Sequence, residues 1–135
     1  MGGFEAFEHT ADVGIRAWGA SLEECFEQAT RGLLDITGAS VPDEGTRMDI
    51  AVGGRDLASV LVDWLSEVLY VQDTRDVVIT ELHVDHVDQH RARGWIAVKP
   101  REGPLTGTAV KAVTYHGLSV EQHDDTWTAE LVVDV

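Results

Sequence analysis

Between Asp56 and Tyr70 the apolar residues Leu57, Val60, Leu61, Trp64, Leu65 and Val68 recur at the three-and-four spacing of a helix. The stripe they form is wide, and a helix apolar over so much of its surface must be deeply buried. The preceding Gly53-Gly54-Arg55 reads as a turn, and Asp56 as the helix N-cap. A chain built around such a helix needs other elements to cover it.

A second helix is predicted from Ser21. Ser21 and Glu24 form a capping box, in which the serine accepts from the Glu24 amide and the Glu24 carboxylate reaches back. Leu22, Cys25, Phe26, Ala29 and Leu33 then share one apolar face, and Gly38 is the expected stop. Elsewhere the period falls to two, as in Met48-Ile50-Val52 and Trp127-Ala129-Leu131-Val133. Val77 to Val84 and Trp95 to Val98 flank an acidic, histidine-rich turn ending in Gly94. Val110 to Tyr115 bends through His116-Gly117 into Leu118 to Glu121. The expectation is an α+β fold in one domain over residues 1–135, with two helices packed on one face of a mostly antiparallel sheet.

Ten basic against 24 acidic side chains give a net charge of -14. Such a surface repels a phosphate backbone unless the few Lys and Arg are strongly clustered, so direct nucleic-acid binding is not expected. The same field attracts cations and basic partner surfaces. No apolar run approaches the length of a membrane span, and the start Met1-Gly2-Gly3-Phe4-Glu5 lacks the pattern of a secretory signal. A cytoplasmic location is expected. The single cysteine, Cys25, cannot form an internal disulfide and reads as core.

His83, His86 and His90 invite a zinc reading, but in a regular strand His83 points away from His86, and His90 falls in the turn. Nucleophilic catalysis finds no supporting motif. The segment from Glu8 to Arg16 carries more information. Strand alternation places Thr10, Asp12, Gly14 and Arg16 opposite Ala11, Val13 and Ile15. At the other end, Thr128, Glu130, Val132 and Asp134 lie opposite the core-filling Trp127, Ala129, Leu131 and Val133. If the first and last strands are neighbours, Asp12 and Asp134 converge. Two carboxylates with a backbone carbonyl suit a hard divalent cation, Ca²⁺ or Mg²⁺. An acid–base hydrolase using the same pair is a competing reading.

The blocks His9-Thr10-Ala11-Asp12-Val13-Gly14-Ile15-Arg16-Ala17, Leu61-Val62-Asp63-Trp64-Leu65-Ser66-Glu67-Val68-Leu69-Tyr70, Val110-Lys111-Ala112-Val113-Thr114-Tyr115-His116-Gly117-Leu118 and Leu131-Val132-Val133-Asp134-Val135 resemble, in that order, the motifs of the archease family. The resemblance implies a metal-binding accessory protein, not itself an enzyme, for an RtcB-type RNA ligase. It would promote guanylylation and multiple turnover of the ligase in tRNA splicing or RNA repair. A chaperone-like effect on the specificity of a tRNA methyltransferase is the alternative. By the same resemblance the metal ligands are Asp12, Asp134 and the main chain of Val135, and Lys111, Tyr115 and His116 are candidate partner contacts. The segment 100–108 is shorter than the family's usual loop and lacks a histidine often found there, which puts any function of that loop in doubt.

Overall fold

A computed structural model describes residues 1–9 and 12–135 of the chain. In chain order the elements are β1 (Gly3–His9), β2 (Asp12–Gly19), α1 (Leu22–Thr37), β3 (Thr46–Gly53), α2 (Leu57–Arg75), β4 (Val77–Val87), β5 (Arg91–Pro100), β6 (Ala112–His123) and β7 (Thr126–Asp134). The expected α+β class and antiparallel pairing hold. The strands, however, divide between two sheets, ordered β1-β2-β7-β6 and β3-β5-β4. Helix α1 packs on β1, β2 and β7 of the larger sheet and on β4 of the smaller. Helix α2 packs on β6 and on all three strands of the smaller sheet. This follows from the wide stripe of α2, which a single sheet face cannot cover.

Both helix starts are as read. Ser21 accepts from the Glu24 amide at 3.1 Å, while the Glu24 carboxylate reaches one residue further than expected, to the Ala20 amide at 2.7 Å. Gly38 ends α1 in the left-handed conformation, φ 75°. Asp56 caps α2 and is answered by the Ser59 hydroxyl. Helix α2 does not stop near Tyr70 but continues to Arg75, because its last turns still bury Val71 and Gln72. The Gln72 amide oxygen accepts from the Thr37 hydroxyl of α1 at 3.1 Å. Carbonyls left open at the end of α1 are met by the segment 100–108: the Gly107 amide donates to Thr37 and the Thr108 amide to Ile36.

The N-terminal segment holds two strands, not one, and β2 is the strand that lies beside β7. Strand β1 is hard to read because its alternation is broken: Phe4 packs against the core, while Phe7 faces the other way, over Gly14. Bulges in β4 interrupt its register after Ile79 and after Val84. The extra residue Asp85 shifts the phase, so His83 pairs with Trp95 and His86 with Arg93, both on the solvent face. Those two histidines therefore do not oppose one another, as a regular strand would require. Gly94 lies within β5, where a Cβ would run into the His83 carbonyl, and the turn is the shorter Asp88-Gln89-His90.

The free edge of β4 is met near its start and again over its second half. Ala39 and Val41 exchange backbone hydrogen bonds with Ile79, while the α1 carboxylates of Glu27 and Glu23 accept from the amides of Val84 and Val87, each at 2.8 Å. At the centre of the core Trp64 is fully buried. Its indole N–H donates to the Thr30 hydroxyl at 3.0 Å, and that hydroxyl donates to the Phe26 carbonyl at 2.7 Å.

Two substitutions separate volume from polarity at this point. Trp64→Ala should lower unfolding free energy by roughly 3–5 kcal/mol through the cavity it leaves. Thr30→Val, which keeps the volume but orphans the indole N–H, should cost about 1–3 kcal/mol. Urea unfolding followed by circular dichroism measures both, and a neutral Thr30→Val would show that the indole does not depend on that hydroxyl.

Candidate metal and partner-contact site

On the outer face of the larger sheet, the register of β2 against β7 sets Asp12 directly opposite Asp134, Gly14 opposite Val132 and Arg16 opposite Glu130. The inner face carries Ile15 against Leu131 and Ala17 against Ala129, all buried. Both aspartates are half-buried. Directly opposed residues hold their Cβ atoms about 4.5–5.5 Å apart, close enough for two carboxylates to share one ion. Residues 10 and 11 of the first sequence block lie outside the described residues, so the expected facing of Thr10 and Ala11 does too.

Arg16, the arginine of β2, is engaged by two glutamates. Arg16 donates to Glu130 at 3.1 Å and to Glu5, and these two glutamates push its guanidinium pKa further up, Glu130 more than Glu5. The Arg16 guanidinium also lies 5.4 Å from the centre of the Phe7 ring, and it makes no ion pair with Asp12. Among the described residues neither Asp12 nor Asp134 has an ion-pair partner. Two hard oxygen donors face each other without neutralisation among the described residues, a donor set that fits Ca²⁺ or Mg²⁺ and not a thiolate-seeking metal. Phe7 closes the same face on the side of β1: its ring lies over Gly14, and a Cβ at Gly14 would overlap it.

The remaining candidates are distributed around this pair. Val135 follows β7 and its side chain packs against the core. The Lys111 amide donates to the Asp134 carbonyl at 2.7 Å, and Ala112 is the register partner of Asp134, so the block from Lys111 is the third strand of the site. Tyr115 and His116 lie further along, in an irregularity of β6 between Thr114 and Ser119, and both are exposed. Gly117 adopts φ 66° there, in the left-handed region that favours glycine. The structure thus groups Asp12, Asp134 and the backbone of Lys111, and sets Tyr115 and His116 apart from them.

Elsewhere His83, His86 and His123 are tied to neighbouring acids. His83 contacts Glu27 at 3.0 Å and Asp85 at 3.1 Å, and His86 contacts Asp88 at 2.8 Å. The hydrogen bond from His86, followed by the His90 amide, holds the Asp88 carboxyl down at about 2. No cluster of three metal-ligating side chains occurs among the described residues. Cys25 is fully buried, and desolvation pushes its thiol up to about 12, which removes the thiolate that reactivity needs.

The roles of Phe7 and Gly14 escape sequence reading, because a phenylalanine on an outer face breaks the alternation that would have located it. Gly14→Ala should displace the Phe7 ring and lower stability by about 1–3 kcal/mol. The double variant with Phe7→Ala should recover part of that loss, and strictly additive losses in thermal unfolding would contradict the ring-over-glycine contact.

The archease protein family profile matches residues 4–135. The chain is 35% identical to "Protein archease" of Pyrococcus furiosus, with 98% of both chains covered. Its identity to "Protein archease" of Methanosarcina barkeri is 33%, over 98% of this chain and 95% of the relative. Among solved structures, protein 1598 of Methanobacterium thermoautotrophicum superposes with a TM-score of 0.79 at 29% identity, covering 98% of this chain and 99% of the other. An archease from Thermotoga maritima, described as a possible chaperone, shares the fold with a TM-score of 0.66 at 23% identity, over 97% and 96% of the two chains. With a profile match over nearly the whole chain and relatives at this level of identity, the chain belongs to the archease family.

Proposed function

We propose that this protein is a non-enzymatic accessory factor that activates an RtcB-type RNA ligase, promoting guanylylation and multiple turnover of the ligase in tRNA splicing or RNA repair. The observation that supports this reading is the direct opposition of Asp12 and Asp134 across β2 and β7, with no neutralising side chain among the described residues. Like charges set opposite one another in a sheet are destabilising. A helper that carries a divalent cation has a use for that arrangement.

Asp12, Asp134 and the main-chain oxygen of Val135 would hold Ca²⁺ or Mg²⁺. When bound, the cation supplies a dense positive charge on an otherwise acidic surface, suited to a nucleotide or carboxylate on the partner. The sheet register sets the spacing of the two carboxylates, and the Lys111 amide ties down the end of β7. Tyr115 and His116, exposed on the neighbouring strand, are available for contact with the ligase. A second reading is a chaperone-like partner of a tRNA methyltransferase; the Thermotoga protein of this fold is described as a possible chaperone.

The acidic pair makes a two-sided prediction. In the presence of a chelator, Asp12→Asn should stabilise the protein by up to about 1 kcal/mol, because it relieves the repulsion. With excess Ca²⁺ or Mg²⁺ the order should reverse, since only the parent gains binding free energy. Calorimetric unfolding under both conditions tests the site itself. Reconstitution with the ligase of the same cell tests the function: folded Asp12→Ala protein should fail to stimulate guanylylation. Normal stimulation by that variant would remove the acidic pair from the working surface, and stimulation of a methyltransferase alone would favour the second reading.

A further inference from the structure

The net charge weighs against nucleic acid only while the cations are dispersed, and on one surface they are not. Of the ten Lys and Arg, Arg47, Arg91, Arg93 and Lys99 project from the outer face of the β3-β5-β4 sheet. Arg91, Arg93 and Trp95 alternate along β5 with Ala92, Gly94 and Ile96, which are buried. The Arg47 guanidinium lies 4.2 Å above the centre of the Trp95 ring. One strand therefore presents two guanidinium groups in line with an aromatic ring that a third guanidinium already stacks upon.

The two leading arginines have no carboxylate partner among the described residues. Nearby acids are occupied: Asp88 by His86 and the turn amides, Asp85 by His83, and Asp43 by Lys99. Asp49 and Glu81 have no such partner; Asp49 lies opposite Trp95, one same-face position from Arg93, and Glu81 opposite Ala97, so both are at the Trp95 end of the row and not beside Arg91. The Arg91 end carries two guanidinium groups against one carboxylate, Asp88, which stays ionised and lines the cleft there. On one side of this end lies that open cleft, of about 520 Å³, which includes His86 and His90. On the other lies one of about 500 Å³ beside Ala51, with only a methyl group, and Gly53, with no side chain, which leave the arginines uncovered.

We propose that this face binds single-stranded RNA, with Arg91 and Arg93 on successive phosphates and the Arg47–Trp95 stack receiving a base. Arginines two apart in a strand are separated by roughly 6.8 Å, so each can fork onto its own phosphate instead of sharing one. A cationic track that ends in a guanidinium plane stacked on a half-buried indole offers a base a flat surface to stack on, the combination that sequence-tolerant single-strand binding uses. An acidic protein would use the arginines but not the ring. A duplex would offer no unstacked base to it.

The test is fluorescence anisotropy of a labelled ten-nucleotide oligouridylate with the intact protein. At 50 mM KCl binding is expected, and Kd should rise about sevenfold on going to 200 mM, the dependence for two neutralised phosphates on a single strand. R91A/R93A, altered only at exposed positions, should keep its circular dichroism spectrum, bind at least tenfold more weakly and lose that salt dependence. Asp12→Ala should bind RNA as the parent does, which separates this surface from the acidic pair. Absence of binding at 50 mM, or unchanged binding by R91A/R93A, overturns the proposal. So does displacement of the RNA by poly-aspartate at equal charge concentration, which would assign the face to an acidic protein.

Discussion

The antiparallel pairing of β2 with β7 joins the two ends of the chain and carries the candidate site on its outer face. Closing so long a loop costs only slightly more than closing a short one, roughly 0.6 kcal/mol for each doubling of length. Ile15 against Leu131 and Ala17 against Ala129 supply buried apolar surface in return. A slip of one residue would turn those side chains to solvent and separate Asp12 from Asp134 at once. Core packing thus protects the geometry of a pair of charges that would otherwise drift apart.

The acidity of the chain is used in two distinct ways. Some carboxylates serve the fold: Asp56 caps α2, Glu24 closes the start of α1, Asp88 organises the β4–β5 turn, and Glu5 with Glu130 holds Arg16. Asp12 and Asp134 have no such employment among the described residues. This contrast marks them out more sharply than the total of charges does.

Local signals were legible in the sequence where they rest on neighbours in the chain. Ser21, Gly38 and Asp56 mark helix ends through groups within a turn of themselves, and the period-two patterns of β3 and β7 survive because each buries one face. Asp12 and Asp134 could be placed on non-core faces for the same reason. That they oppose one another depends on β2 being the strand beside β7, which is a long-range fact; the family resemblance, not periodicity, pointed to it. The bulges of β4 were not legible, because Thr80 and Asp85 look like any polar strand residues until a partner strand defines the register. The division into two sheets was hidden likewise, since alternation says which face of a strand is covered and not which sheet it joins.

The covered edge of β4 bears on how this protein keeps company. An unpaired strand edge invites another strand to add to it. Here the amides of Val84 and Val87 are taken by the helix carboxylates Glu27 and Glu23, and the strand's start by residues 39–41. A second molecule approaching that edge would have to displace two anions before finding a donor. The fold therefore guards the side of the small sheet along which copies could otherwise polymerise, while at β3, the sheet's other edge, no such helix carboxylate is found among the described residues.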